Sequence, residues 1–160
     1  MYTKILVPLD GSELGEAVLP YVKWFIGVCS RVNELIFLRV VEPFRIAGGL
    51  EVQVAPEEKD RIEGDAAALA RKYLNKIAGQ FKDSRFKIGR EVLVGKPARA
   101  IAEYVGKSDV DLIIMATHGF SGVQHWVRGS VAEEIVRAAR APVFLVTPRD
   151  RPPDQPGSND

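Results

Sequence analysis

Apolar residues along this chain follow two rhythms. Short solid runs stand at residues 4–9 (KILVPL), 34–41 (ELIFLRVV), 111–116 (DLIIMA) and 143–146 (VFLV). Runs of this kind mark strands buried on both faces. A further run at 86–94 alternates more and is predicted to lie nearer a sheet edge. Between the runs the spacing shifts to i, i+3, i+4, i+7, the mark of amphipathic helices. After Ser12, a candidate N-cap, a helix running to Gly27 would turn Leu14, Ala17, Val18, Tyr21, Val22 and Phe25 to one side. A long helix over 57–81 would bury Ile62, Ala66, Leu69, Ala70, Tyr73, Leu74, Ile77 and Phe81. A third begins at Pro97, buries Ile101, Ala102 and Val105, and is predicted to stop at Gly106. A fourth covers 129–139.

Strand and helix thus alternate through the chain, which predicts an α/β fold with a parallel sheet, helices on both faces and right-handed crossovers. Ligands in such folds bind beyond the carboxyl ends of the strands, where the strand order reverses. The first and fourth strands are the natural pair to flank that point. Their exits are Pro8-Leu9-Asp10 and residues 115–129. Residues 44–56 show no period and are expected to form a loop. Residues 148–160 hold four prolines and no apolar pattern, so a disordered tail is expected there.

Composition narrows the class. A chain of 160 residues, 46% hydrophobic, suits one domain with a full core. A net charge of +1 argues neither for nucleic acid nor for an anionic membrane. A single cysteine, Cys29, excludes an internal disulfide and fits a reducing cytoplasm. No run approaches the roughly 18 apolar residues of a membrane span. The start of the chain leads directly into a strand pattern, so no signal peptide is expected.

The stretch with most chemistry in it is 115–131, MATHGFSGVQHWVRGSV. It leaves a strand, carries Gly119, Gly122 and Gly129, and enters a helix at Ser130. Glycines let backbone N–H groups approach a ligand, and a helix start offers unpaired donors at its positive end. The same glycines could serve as turn and cap residues alone, and Asp10 could be only a turn residue. Neither G-x-x-x-x-G-K-[ST] nor G-x-G-x-x-G occurs in the chain. His118 has no second acid, base or nucleophile at a recognisable spacing, so it reads as a loop-ordering hydrogen bonder rather than a catalyst.

KILVPLDGSE, LRVVEP, VLVGKPARAI and MATHGFSGVQHWVRGSVAEEIVRAARAPVFLV together resemble the universal stress protein family over residues 1–147. The expected fold is an open five-stranded parallel sheet, Rossmann-like or flavodoxin-like, of strand order 3-2-1-4-5. The nucleotide-binding branch carries Gly, two residues, Gly, nine residues, then Gly with Ser or Thr. Gly119, Gly129 and Ser130 match it, with Phe120 to Arg128 between. Ala116 stands where the pattern has its first Gly. An extended backbone there would tolerate the methyl group.

By this resemblance Asp10 would bond the ribose hydroxyls or the adenine side. Pro8, Leu9, Val40 and Met115 would line the adenine slot. Gly119, Gly129, Ser130 and Val131 would hold phosphates, with Ala116 and His118 in the same binding stretch. The resemblance implies a cytoplasmic stress-response protein that binds ATP or AMP, with Mg²⁺ accompanying ATP, and is regulatory rather than a fast catalyst. It also implies a homodimer through the Val143–Val146 edge. The alternatives are a stress protein of this fold that binds no nucleotide and works through protein contacts, and a slow ATP hydrolase.

Overall fold

The computed structural model describes residues 2–43, 55–81, 85–117 and 130–147. Five strands are present, β1 (Lys4–Pro8), β2 (Glu34–Val41), β3 (Lys87–Val94), β4 (Leu112–Ala116) and β5 (Val143–Val146). The helices are α1 (Glu13–Glu16), α2 (Leu19–Val28), α3 (Pro56–Ala78), α4 (Pro97–Lys107) and α5 (Ser130–Ala138). All strand pairs are parallel, in the order β3-β2-β1-β4-β5, as expected. The chain steps outward through β1, β2 and β3, then crosses back to β4 and β5. Right-handed crossovers in opposite directions put their helices on opposite faces.

Alternation along the strands builds both cores. Ile5, Val7, Leu35, Phe37, Leu112 and Ile114 point to α2 and α3, where Val22, Leu74 and Ile77 meet them. Leu6, Ile36, Leu38, Ile113 and Met115 point to α4 and α5, against Ile101, Val105, Ala132 and Ile135. The more alternating β3 lies at one edge of the sheet.

Three helix readings need correction. The helix expected from Ser12 to Gly27 is two helices, broken at Ala17 and Val18. Pro20, in the first turn of α2, has no N–H and would press on the carbonyl four residues back if the helix were continuous. In α3, Leu69 is 67% exposed, and the buried face is Ala70, Leu74, Ile77 and Ala78. Phe81 is buried beyond the helix end, its ring 4.9 Å from that of Phe37. Gly106 does not end α4, which runs to Lys107. The reversal falls at Asp109, with φ +49°, a conformation that Asp tolerates better than most side chains.

β1 is gripped unequally along its length. At its amino end the Asp111 carboxylate accepts from Thr3 N–H (2.9 Å), Thr3 Oγ1 (2.8 Å) and Lys4 N–H (3.1 Å). Register with β4 then covers only Ile5↔Leu112 and Leu6↔Ile113, whereas register with β2 continues to Pro8↔Leu38. Leu9 donates to the Leu38 carbonyl, so by alternation Pro8 faces β4, where it has no N–H to give. β1 and β4 therefore separate at their carboxyl ends.

Asp111→Ala strands three donors at this clamp. It is expected to cost about 2–3 kcal/mol, the scale of lost bonds to a charged acceptor. Urea unfolding with an unchanged m-value checks it, and a loss under about 0.5 kcal/mol would show that water replaces the carboxylate.

Candidate functional site

Where β1 and β4 part, a cleft of about 330 Å³ opens at the carboxyl end of the sheet. That is the lower end of the range for small-molecule sites. One wall is apolar and comes from the strands on either side of β1: the alternate residues Leu38 and Val40 of β2, with Met115 of β4. Pro97 and Ile101, one turn apart on α4, close that side. Pro8, Leu9 and Asp10 form the β1 rim, and Ala116, Thr117, Val131 and Ala132 the opposite one. Leu14 and Gly15 bring the start of α1 to it. Of the described residues that line it, only Asp10 and Glu42 ionise.

Asp10 is held by its own turn. Its Oδ1 accepts from Ser12 N–H (2.9 Å) and Ser12 Oγ (2.7 Å). Ser12 Oγ in turn accepts from Gly15 N–H (2.9 Å), the expected N-cap of α1. Asp10 is thus a turn residue and a lining residue of the cleft together. Gly11 between them has φ +82°, which a glycine reaches without cost.

The structure brings Pro8, Leu9, Asp10, Val40, Met115, Ala116 and Val131 to this one cleft. Ser130 is the first residue of α5. His118, Gly119 and Gly129 lie outside the described residues. Ala116 ends β4 in register with Val146 and is not among the positive-φ residues, so its methyl group meets the extended backbone that tolerates it. Eight lining residues were not among the expected site residues: Leu14, Gly15, Leu38, Glu42, Pro97, Ile101, Thr117 and Ala132. Leu38 could have been found as the position two before Val40 on the same strand face. The α4 residues belong to a distant segment that only the crossover from β3 brings here.

The first turns of α4 and α5 both border the cleft, and such turns carry N–H groups without intrahelical partners and the positive end of the helix dipole. An apolar slot, a carboxylate on one rim and a helix start on the other suit a ligand with a flat apolar part, a hydroxylated part and an anionic end. No group of three His, Cys, Asp or Glu placed to cage a metal occurs among the described residues. Nor is any helix there long and apolar enough to cross a membrane.

A methyl group on Gly15 would lie 2.5 Å from Asp10 Oδ1. Gly15→Ala should therefore push the carboxylate off Ser12, costing about 1 kcal/mol net once the gain in helix propensity is subtracted. Ser12→Ala should cost about 1 kcal/mol as a lost cap. Because both act on one hydrogen-bonded unit, the double variant should lose less than the sum in urea unfolding. Strict additivity would mean that Asp10 stays in place.

Comparison with known proteins agrees with this architecture. A model of the universal stress protein family matches residues 1–147. Universal stress protein MJ0577 of Methanocaldococcus jannaschii is 29% identical over 157 residues, covering 91% of this chain and 95% of the relative. The solved MJ0577 structure superposes with a TM-score of 0.75, covering 94% of this chain and 99% of that one. MJ0531 of the same organism is 30% identical over 146 residues, covering 91% of this chain and 82% of the relative. A universal stress protein family member from Arabidopsis thaliana, solved with AMP bound, shares the fold at 16% identity and a TM-score of 0.60, covering 91% of each chain.

Proposed function

The chain belongs to the universal stress protein family, and from that premise we propose that it is an adenine-nucleotide-binding stress-response protein of the cytoplasm. The observation that carries this reading is the cleft between β1 and β4, apolar on one wall, with Asp10 on one rim and the start of α5 on the other. Adenine fits between Val40, Met115 and the β1 exit at Pro8 and Leu9. Asp10 accepts from the ribose hydroxyls. Phosphates lie toward Ser130 and Val131, with Gly119, Gly129 and His118 supplied by the stretch between β4 and α5. The AMP held by the Arabidopsis relative of this fold supports an adenine nucleotide as the ligand.

ATP is the second candidate ligand. Its Mg²⁺ would be carried on the phosphates, since two rim carboxylates, Asp10 and Glu42, do not make a cage of their own. The protein reads the nucleotide rather than turning it over quickly. Binding shifts the protein toward the state that holds the nucleotide and so changes a surface that a partner can recognise.

AMP at one hundred times its dissociation constant should add about 2.7 kcal/mol of stability. For a chain of this size the melting temperature should then rise by roughly 5–10 °C. Asp10→Ala should reduce the rise. A flat response to millimolar AMP and ATP, with no nucleotide released from the purified protein in mass spectrometry, would favour the reading in which the fold acts through protein contacts alone.

The protein is a homodimer in this reading. β5 lies at the sheet edge and exposes Phe144 (39%) and Leu145 (42%), and Val136 of α5 is half exposed as well. An apolar edge with unpaired backbone groups is a template for a second strand. Sedimentation at micromolar concentration should give a dimer, and Phe144→Lys with Leu145→Lys a monomer. A wild-type monomer would remove the claim.

A further inference from the structure

Arg39 stands behind the cleft rather than in it. On β2, Leu38 lines the cleft wall and Phe37 packs toward α2 and α3. By the same alternation Val40 takes the cleft side and Arg39 the far side. The Arg39 guanidinium carbon lies 5.1 Å from the centre of the Tyr73 ring on α3, a cation–π contact. The guanidinium also lies against the turn that carries Asp10. A Cβ built on Gly11 would come within 2.6 Å of Arg39 Nη1 and 2.9 Å of its Cζ. The guanidinium thus fills the place a side chain at position 11 would take. Gly11 answers two demands at once, its φ of +82° and this close approach.

The surroundings keep the guanidinium there. The Tyr73 hydroxyl is buried, and among the described residues no partner meets ordinary hydrogen-bond geometry. Burial first, and the nearby Glu16 carboxylate second, push its pKa above the ordinary tyrosine value, while Arg39 pulls the other way and Asp10 adds a weaker upward push. The ring is therefore neutral and available as a stacking surface. Arg39, Glu16 and Asp10 all act electrostatically on this ring, and the broad planar guanidinium reaches both the ring and the turn, which the compact ammonium of a lysine would not.

We infer that Arg39 is a positioning residue: wedged between Tyr73 and Gly11, it braces the Asp10–Ser12 turn from behind and so fixes the carboxylate that meets the ribose. The ribose half of this inference rests on the nucleotide reading above; the bracing of the turn does not. The device ties the long helix α3 to the rim of the cleft through one side chain. Displacement of α3 would then be felt at Asp10 without any change in the adenine slot.

Two readouts test it on the full chain. AMP and 2′,3′-dideoxy-AMP differ only in the hydroxyls that Asp10 would read. Wild-type protein should prefer AMP by about tenfold, the scale of one bond to a charged group. Arg39→Met keeps the aliphatic stem but removes the wedge. It should weaken AMP by roughly five- to tenfold and leave 2′,3′-dideoxy-AMP within about twofold, on the same scale. Arg39→Lys should fall between. Without nucleotide, Arg39→Met should speed amide exchange at Ser12, whose N–H is held by Asp10. Unchanged Ser12 exchange together with an unchanged preference for AMP overturns the inference, as does equal weakening of both nucleotides, which marks general loss of structure. If wild-type protein binds neither nucleotide, the nucleotide reading and the ribose half fall together, and Ser12 exchange alone decides whether Arg39 braces the turn.

Discussion

At its amino end β1 is held on both sides, and at its carboxyl end it is held on one. The Asp111 carboxylate gathers Thr3 and Lys4 where the strand begins, so β1 and β4 start as close neighbours. Four residues later Pro8 faces β4 with no N–H, and pairing survives only toward β2. A parallel sheet at its switch point already has helices leaving in opposite directions. The unequal grip on β1 turns that topological feature into a real opening with solid walls. The cleft is thus the consequence of one clamp and one missing donor on the same strand.

The chemistry of the opening follows from what reaches it. Strand alternation delivers apolar side chains to one wall, and crossover geometry delivers the starts of α4 and α5. The side chains that ionise there are acidic, Asp10 and Glu42, so among the described residues the compensation for an anion is backbone N–H and helix dipole rather than a lysine or arginine. Under the proposed nucleotide reading, the two ends of the ligand separate, hydroxyls toward the carboxylate and phosphate toward the helix start. Arg39 does not line the cleft; its guanidinium lies over the Tyr73 ring and against the Gly11 turn.

Much of this was readable from the residues. The run ELIFLRVV became β2 and VFLV became β5 with the expected bounds, because solid apolar runs between turn residues leave few alternatives. The strand order and Ser12 as a cap were also expected. The failures have local causes. Pro20 split a helix whose apolar spacing continues smoothly through it. Leu69 fits the helical period but lies just to the side of the face that Ala70 and Leu74 bury. Asp109, not Gly106, took the positive φ. At the site, residues on the two strand exits were legible, because strand ends are read directly. Pro97, Ile101 and Arg39 were not, since their relation to the cleft depends on which segments the crossovers bring together.

Ala116 had been the one departure from the resembling pattern, and an extended backbone at the end of β4 accommodates it. The central claim, that the cleft takes an adenine nucleotide, can be read at a single atom group. The chain has two methionines, and Met115 is the one in the cleft wall. With ¹³C-methyl methionine, titration of AMP should move the Met115 methyl resonance by the ring current of the bound adenine, saturating with the same dissociation constant as binding, while Met1 stays still. A Met115 resonance that does not move at millimolar AMP, or moves equally with inorganic phosphate, would contradict it.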